Sequence, residues 1–448
     1  MLVTQAAQRP RKRAGRARIG IAIAGGGPIG GMYELGALRA LDLAIEGLDL
    51  TALDVYVGVS SGAFLAAGLV NGLGTAEMCR IFLTGDSHEA RFRPESFARP
   101  ALFEYLRRAS YVPRLLADWF GAIVRNPLDM NMTDALLRIG SLLPTGLFDN
   151  SAVESFLREV LTGNGRSNDF RRLAHRFYVI AVELDTGKEV RFGAPGNDSV
   201  PISQAIVASA ALPGLYPPVR IGDKFYVDGA LQRTLHASVA LDDGAELVIG
   251  LNPLVPFDAA LAKLHGKESP DSLVQGGLPA VLSQTFRTLL QSRMQASLSR
   301  YARHYDKADV VLFEPNPDDA ELFFTNVFSY DNRQHVAELA YRSTLADLRA
   351  QRETLAPLLA RHGLRLREDV LRNGAAPGLL DSLDGRPPRP SGATARLRRA
   401  LDDLGHLVAD PPKPPRPRPP RAAAGKAKPP TARPPAPGRA KRPRRSGR

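Results

Sequence analysis

The residues best placed to do chemistry lie in one Gly-x-Ser-x-Gly segment, Gly58-Val59-Ser60-Ser61-Gly62. A short apolar run precedes it and a helical pattern of small and apolar residues follows. A segment of this kind between a strand and a helix is typical of a nucleophile elbow. Because Gly58 and Gly62 have no Cβ, they permit a sharp turn that presents Ser60 at the carboxyl end of the strand. The pattern predicts that Ser60 is a nucleophile for acyl transfer.

Acyl transfer also needs hydrogen-bond donors for the negative charge that develops on the ester oxygen. The run Gly25-Gly26-Gly27 follows another apolar stretch and offers backbone N–H groups that no side chain obstructs. Pro28 has no N–H. We therefore expect the donors to come from this glycine run, chiefly Gly26 and Gly27, together with Ser61 after the nucleophile.

Asp228 is the candidate general base. It ends the apolar run 225–227 and is followed by Gly229 and Ala230. A carboxylate close to the serine can take its proton directly, and partial burial raises the pKa of such a carboxylate. His236, further along the chain, is the alternative base and would make a triad in place of a dyad.

The elements that position these residues are short apolar strands that alternate with helices. The patterns predict strands over residues 19–24, 55–57, 177–184, 225–227, 246–251 and 309–313, and helices over 32–43, 63–70, 153–161, 201–211 and 333–362. Such alternation predicts an α/β fold in which helices cover both faces of a mostly parallel sheet. In that fold the glycine run and Ser60 follow adjacent parallel strands and meet at one edge of the sheet.

Four blocks of the sequence together resemble the patatin-like phospholipases, a family of lipid acyl hydrolases that use a Ser–Asp dyad. The block 25–30 is similar to the family's oxyanion loop, and the block 58–62 to its serine elbow. The block 208–219, Ala-Ser-Ala-Ala-Leu-Pro-Gly-Leu-Tyr-Pro-Pro-Val, resembles the segment between the two catalytic residues, and 228–230 resembles the Asp-Gly-Gly/Ala signature. The similarity extends from about residue 19 to about residue 345.

The resemblance implies a three-layer α/β/α patatin-like domain and a carboxylic ester hydrolase that acts on phospholipids or other acyl lipids. It implies a phospholipase A or lysophospholipase-like esterase that needs no metal or organic cofactor. The implied roles are nucleophile for Ser60, proton acceptor for Asp228, oxyanion hole for Gly25, Gly26, Gly27 and Ser61, and motif support for Gly30, Gly58, Gly62, Gly229 and Ala230.

Two positions depart from the family pattern. Ile29 stands where the family usually has Arg or Lys, just before the last glycine of the oxyanion loop. Residues 231–236 replace the Asn and Pro that often follow the aspartate. Both departures leave Ser60 and Asp228 in place, and they bear on the rate and on the preferred substrate.

Two other functions stay open at this stage. Gly25, Gly27 and Gly30 also match a dinucleotide-binding fingerprint, with Asp49 as the acid for the ribose. The alternative to an efficient enzyme is a weakly active scaffold whose basic tail binds anionic lipid or nucleic acid. Unlike the dinucleotide alternative, the hydrolase accounts for the serine elbow together with Asp228.

Charge divides the chain into a body and two basic ends. The net charge is +13, yet residues 411–448 hold 13 Lys and Arg and no acid, and residues 1–18 hold six more. We expect a basic disordered arm over 1–18, an acyl hydrolase domain over 19–355, a helical extension and linker over 356–410, and a disordered tail over 411–448. The tail either binds anionic surfaces such as lipid or nucleic acid without sequence preference, or only keeps the chain in solution.

The remaining features concern location. Cys79 is the only cysteine, which excludes an intrachain disulfide and fits a reducing compartment. The amino terminus does not resemble a signal peptide, and no stretch is apolar enough for a membrane span. We therefore expect a cytoplasmic protein with peripheral membrane contact.

An apolar stripe over residues 112–123 predicts a helix that either packs on the core or contacts the membrane near the active site.

Overall fold

The structure is a computed structural model. It describes residues 1–8, 16–87, 89–90, 92, 95, 99–101, 145–267, 272–324, 332–372 and 376–383. The extension beyond residue 383, the tail over 411–448, residues 9–15 of the arm and the predicted 112–123 helix lie outside the described residues.

Eleven strands occur in the described part of the chain. They are β1 Leu2–Gln5, β2 Ile19–Ile23, β3 Ile45–Glu46, β4 Val55–Val59, β5 Arg176–Glu183, β6 Glu189–Phe192, β7 Val219–Ile221, β8 Lys224–Asp228, β9 Leu247–Leu251, β10 Asp309–Phe313 and β11 Arg365–Leu366.

The described α-helices lie between and after these strands. They are α1 Gly27–Ala44, α2 Ser61–Val70, α3 Thr75–Cys79, α4 Ser151–Thr162, α5 Ile202–Ser209, α6 Ala237–Asp242, α7 Ala259–Leu264, α8 Gly277–His304, α9 Ala320–Phe324, α10 Arg333–Ala350, α11 Arg352–Ala360 and α12 Glu368–Leu371. A π-helical turn, Arg80–Thr84, follows α3, and a 3₁₀ turn, Gly229–Leu231, follows β8.

Nine of the strands form one mixed sheet in the order β1-β10-β9-β2-β4-β5-β8-β7, with β6 paired to β5. The five strands from β10 to β5 are parallel, and antiparallel pairs lie at both ends of the sheet. The predicted α/β fold with a mostly parallel sheet is confirmed.

Alternate residues of the central strands enter two separate cores. Ile21 and Ile23 of β2 pack with residues of α1, α2 and α10 on one face of the sheet. Ala22 and Ala24 pack with residues of α6 and α8 on the other face. Because successive side chains of a strand point to opposite faces, burial of both sets explains why these strands are continuously apolar.

Two element boundaries differ from the sequence-based expectation. Leu2–Gln5 is a strand antiparallel to β10, so the prediction of a disordered arm over 1–18 is wrong for these four residues. Helix α1 begins at Gly27 and not at residue 32. Pro28 favours the earlier start, because its fixed φ and missing N–H fit the first turn of a helix.

The long helix α8 was not predicted from the sequence. It spans 28 residues, Gly277–His304, and buries only a few side chains, among them Met294 and Tyr301. Its leucines are mostly exposed, so this helix does not bury an apolar stripe against the core as other helices of the fold do. No helix in the described ranges combines the length and the apolar character that a membrane span requires.

Candidate active site

Ser60 lies in the sharp turn between β4 and α2. Its φ of 49° and ψ of −122° place a residue with a side chain in a backbone conformation that only glycine adopts freely. The neighbouring elements hold this strained turn, which presents the serine where the strand ends. Ser60 is largely buried, with 7% of its surface exposed.

The two glycines of the elbow are required by close backbone contacts. A Cβ at Gly58 would lie 2.4 Å from Ala63 Cα, and a Cβ at Gly62 would lie 2.4 Å from the carbonyl oxygens of Ile23 and Ala24. Real Cβ atoms do not approach other atoms this closely, so any side chain at either position would push α2 away from the strands. The small residues therefore let the elbow pack directly on the end of β2.

Ser209, at the end of α5, fixes the backbone of Ser60. Its Oγ accepts the Ser60 N–H at 2.8 Å and donates to the Ile180 carbonyl at 2.5 Å. Both hydrogen bonds are buried, so without the Ser209 hydroxyl the Ser60 N–H would have no partner. Ser209 belongs to the 208–219 block, and no local pattern in the sequence indicates this role.

The sheet register places Asp228 beside the elbow. Val59 of β4 pairs with Ile180 of β5, and Ala181 of β5 pairs with Asp228 at the end of β8. The Asp228 N–H also donates to the Ala211 carbonyl at 3.1 Å. The segment just after α5 thus holds the backbone of Asp228, while Ser209 holds that of the serine.

The Asp228 carboxyl is buried and has few partners. Its Oδ1 accepts the N–H of Ala230 at 2.8 Å. Burial raises the pKa of Asp228 from 3.8 to about 6, and the Ala230 N–H and the nearby Ser60 hydroxyl oppose the increase. At neutral pH the carboxyl is therefore mostly ionised, and it is more basic than an exposed aspartate. Gly229 packs closely here, since a Cβ on it would lie 2.3 Å from the Ile180 oxygen.

The glycine run lies against the serine. A Cβ at Gly25 would lie 2.9 Å from Ser60 Cβ. Gly26 differs from the sequence-based expectation, because its N–H already donates to Ser61 Oγ at 2.9 Å. In this arrangement the Gly26 N–H is not free to bind an oxyanion.

Three of the expected donors have no acceptor among the described residues: the N–H groups of Gly25, Gly27 and Ser61. Gly27 has a φ of 63° and begins α1, and Ser61 begins α2. The positive ends of two helices therefore meet beside Ser60, where they favour negative charge. Gly30 supports the same loop, and its N–H donates to the Gly26 carbonyl at 3.1 Å.

A buried carboxyl lies behind the glycine run. Glu34 of α1 is fully buried, and its Oε2 accepts the Ser61 hydroxyl at 3.4 Å. Its Oε1 has no hydrogen-bond partner among the described residues. Burial raises the pKa of Glu34 well above its ordinary value and so favours the neutral form of the group. The signal that was missed in the sequence is an acidic residue inside an otherwise apolar helical stretch.

Ser60 and Asp228 lie on the wall of an apolar cavity of about 130 Å³. Apart from these two residues, Ser61 and Asn150, the lining consists of glycine, proline, aliphatic and aromatic residues. Those of α2, α4 and α8 and of the π-helical turn are Phe64, Leu65, Val153, Phe286 and Phe82. The chemistry of this surface fits a hydrocarbon chain next to Ser60.

Ile29 does not face this cavity. It is 3% exposed and packs in the core that contains α1. No lysine or arginine occurs among the described residues that line the cavity. The charge that the family's cation would supply is therefore left to the backbone N–H groups and the two helix termini.

The alternative residues named from the sequence lie elsewhere. His236 is fully buried, with its Nδ1 3.2 Å from Glu189 Oε2, and it does not line the cavity. Asp49 lies in the turn before β4 and accepts hydrogen bonds from Thr51. The glycine run follows the opposite end of the parallel strand β2, so the dinucleotide fingerprint does not assemble.

Fold and site together define an α/β protein with a serine elbow and a buried aspartate at one sheet edge. Residues 21–241 match the model of the patatin-like phospholipase family. The chain therefore carries a patatin-like phospholipase domain, and the resemblance inferred from the four blocks is confirmed.

The relatives found by sequence are distant. Uncharacterised NTE family proteins of Mycobacterium bovis and Mycobacterium tuberculosis are each 24% identical to this chain over 349 residues. The match covers 75% of this chain and 47% of each relative. The chain thus spans about half the length of the curated relatives that it matches.

Two solved structures are also similar. VipD from Legionella pneumophila is 14% identical with a TM-score of 0.30, and the match covers 81% of each chain. Human GIVD cytosolic phospholipase A2, bound to methyl gamma-linolenyl fluorophosphonate and terbium chloride, is 14% identical with a TM-score of 0.31 and coverages of 76% of this chain and 59% of that one. At TM-scores this low, no conclusion about this chain rests on the two structures.

Proposed function

We propose that this protein is a serine lipid acyl hydrolase, a phospholipase A or lysophospholipase-like esterase, that works through an acyl-enzyme. One observation carries the proposal: the Ser60 hydroxyl lies beside a buried carboxyl, Asp228, and influences its pKa, which burial raises to about 6. Both residues face an apolar cavity. A nucleophile, a base of suitable pKa and a surface for hydrocarbon are thus in one place.

In the first half of the reaction Ser60 Oγ attacks the ester carbonyl carbon, and its proton passes to the Asp228 carboxylate. The carbonyl oxygen becomes an oxyanion that the free N–H groups of Gly25, Gly27 and Ser61 stabilise. When the tetrahedral intermediate collapses, the bond to the leaving alcohol breaks. The alcohol takes the proton from Asp228, and the acyl group stays on Ser60.

In the second half a water molecule attacks the acyl carbon and gives a proton to Asp228. The same N–H groups stabilise the second oxyanion. The bond to Ser60 Oγ then breaks, and the serine recovers its proton from Asp228 while the fatty acid leaves. Ser60 and Asp228 are the two side chains that exchange protons in these steps, and they therefore act as a dyad.

A stripe on α8 supports contact with a lipid surface. Leu278 and Leu282 are 70% and 58% exposed, and Phe286 on the same helix lines the cavity. Residues four apart lie above one another on a helix, so the three side chains form a line from solvent to the cavity. We propose that this end of α8 touches the lipid surface from which the substrate enters.

Binding of anionic surfaces by the basic tail is a proposal that rests on the sequence. A tail over 411–448 that binds anionic lipid or nucleic acid should do so electrostatically, with an affinity that falls steeply as salt rises. Binding to anionic vesicles and to DNA, with and without these residues across a salt series, tests this proposal. Equal binding of both forms at low salt would remove the tail from consideration. A cytoplasmic location stays a prediction as well.

The deciding experiment compares wild type with Ser60→Ala, Asp228→Asn and His236→Gln. We expect an alkyl fluorophosphonate to label the wild type at Ser60, and expect hydrolysis of p-nitrophenyl acyl esters to be lost in the first two variants and kept in the third. Hydrolysis that persists in Ser60→Ala would sink the mechanism. Loss in His236→Gln with activity kept in Asp228→Asn would move the base to His236. Tight binding of NAD by a protein that hydrolyses no ester would favour the dinucleotide alternative.

A further inference from the structure

A second, smaller cavity shares part of its wall with the first. Its volume is about 20 Å³, and two phenylalanines, Phe64 and Phe82, line both cavities. All the other residues around it are apolar or glycine, among them Leu73 and Phe156. Apolar cavities of this kind stay dry and are filled favourably by hydrocarbon.

Of the two shared phenylalanines, Phe82 can be substituted with less effect on the serine elbow. Phe64 belongs to α2, four residues after Ser60, and its position is tied to the elbow. Phe82 belongs to the π-helical turn Arg80–Thr84 and is half-buried. Turns of this type are rare and are often found at functional sites.

The Phe82 ring contacts one aromatic ring from each cavity. It packs edge-on against Phe92 with ring centroids 5.0 Å apart, and against Phe156 at 6.1 Å. Phe92 lines only the larger cavity, and Phe156 lines only the smaller one. The ring of Phe82 therefore stands between the two spaces.

We propose that Phe82 determines the length of the acyl chain that the site accepts. Its ring closes the apolar cavity next to Ser60, and the smaller cavity is the space that a longer chain enters once this ring is removed. This inference rests on the proposed acyl hydrolase function. It names a specificity residue for that reaction.

The size of the effect follows from the burial of methylene groups. Each additional methylene transferred from water to an apolar site strengthens binding by about fourfold. A Phe82→Ala variant should therefore favour longer acyl chains, and the kcat/KM ratio of laurate to butyrate esters should rise by about tenfold or more relative to wild type. Phe82→Trp enlarges the wall and should lower the same ratio.

The experiment measures kcat/KM for p-nitrophenyl butyrate, octanoate, laurate and palmitate. Phe82→Leu is a milder change that should raise the ratio less than Phe82→Ala, and it serves if the alanine variant folds poorly. The matched control is Phe82→Ala combined with Leu73→Phe, which refills the smaller cavity. We expect this double variant to return the laurate-to-butyrate ratio to the wild-type value.

The outcomes separate the inference from the function on which it rests. An unchanged ratio in folded Phe82→Ala or Phe82→Leu, with wild-type esterase activity intact, would overturn the inference alone. A raised ratio that Leu73→Phe does not reverse would also overturn it, because the gain would then not come from the smaller cavity. Absence of any Ser60-dependent hydrolysis by the wild type would overturn the proposed function and the inference together.

Discussion

The hydroxyl of Ser209 accepts the backbone N–H of Ser60 at 2.8 Å and donates to the carbonyl of Ile180. One side chain thus ties the strained elbow to strand β5. Two residues further on, the Ala211 carbonyl accepts the Asp228 N–H. Ser209, which ends α5, and Ala211 just after it therefore set the positions of Ser60 and Asp228. Neither Ser209 nor Ala211 takes part in the proposed reaction.

Ser209→Ala should impair both folding and catalysis. The substitution leaves the buried N–H of Ser60 without a partner, which costs about 1–3 kcal/mol in the free energy of unfolding. Because the lost bond fixes the nucleophile, we also expect kcat/KM for a p-nitrophenyl ester to fall by about tenfold or more. Denaturant unfolding and steady-state kinetics on the same preparations measure the two effects.

Ser203→Ala is the matched control for that variant. Ser203 lies on the same helix, is equally buried, and accepts a hydrogen bond from Asn168 at 3.0 Å. It should lose a similar amount of stability and keep its kcat/KM. Equal catalytic losses in the two variants would mean that Ser209 acts only through general stability.

Local patterns were sufficient to predict the elements that carry the site. The apolar run before Ser60, the helical pattern after it and the position of Asp228 at the end of a strand are all set by nearby residues. Each of these elements is found in the structure. The alternation of strands and helices was likewise enough to predict the sheet, because its strands are buried on both faces.

Contacts between distant residues could not be predicted in this way. The bond from Gly26 to Ser61 depends on the approach of two loops that are 35 residues apart, and it removes an expected donor. Ser209 is hydrogen-bonded to a residue 149 positions away in the sequence, and the residues next to Ser209 do not indicate this contact. Strand β1 was missed because the arginines after it suggested disorder, although its own residues favour a strand.

Asp228→Asn should abolish hydrolysis and stabilise the fold at neutral pH. Between the ordinary pKa of 3.8 and the native value of about 6, the folded protein binds a proton that the unfolded chain has released. Stability therefore falls as pH rises through this window, and the deficit persists above it. Two pKa units correspond to about 3 kcal/mol, so the asparagine variant should gain up to about that amount at pH ~7.5 and little near pH ~4.

Unfolding measured by denaturant at both pH values checks this prediction, with wild type as the reference. A stability gain that is the same at both pH values would mean that ionisation of Asp228 is not its source. Wild-type kcat/KM should also decrease as the pH falls below about 6, because the protonated carboxyl cannot accept the serine proton.

Glu34 should affect catalysis through the hydrogen bond that it accepts from Ser61. Because burial favours the neutral form of Glu34, Glu34→Gln keeps a neutral polar group there and should retain kcat within about threefold. Glu34→Leu removes the polar group and leaves the Ser61 hydroxyl without its acceptor. We expect its kcat to fall by about tenfold, with KM little changed, because the oxyanion donors act mainly in the transition state.

The stability of the leucine variant distinguishes positioning from packing. Glu34→Leu loses the hydrogen bond from Ser61 but also removes a buried oxygen that has no partner, so its stability should stay within about 1 kcal/mol of wild type. A loss of kcat without a loss of stability would identify Glu34 as a positioning residue. Equal kcat in all three proteins would show that the Gly26–Ser61 contact holds without it.

Aspartate at Leu278 and Leu282 should separate action on lipid surfaces from action on dissolved esters. These side chains lie on the stripe of α8 that ends at Phe286 on the cavity wall. Withdrawing each leucine from a lipid surface should cost about 1–2 kcal/mol, so hydrolysis of phospholipid vesicles should fall by about tenfold or more in the double variant. Hydrolysis of p-nitrophenyl butyrate should stay within about twofold, since neither leucine lines the cavity.

Leu184→Asp is the control for this double variant. Leu184 is a 48% exposed leucine outside α8, so its substitution should leave both activities unchanged. Parallel losses on vesicles and on the dissolved ester in the double variant would contradict a role for α8 in lipid contact.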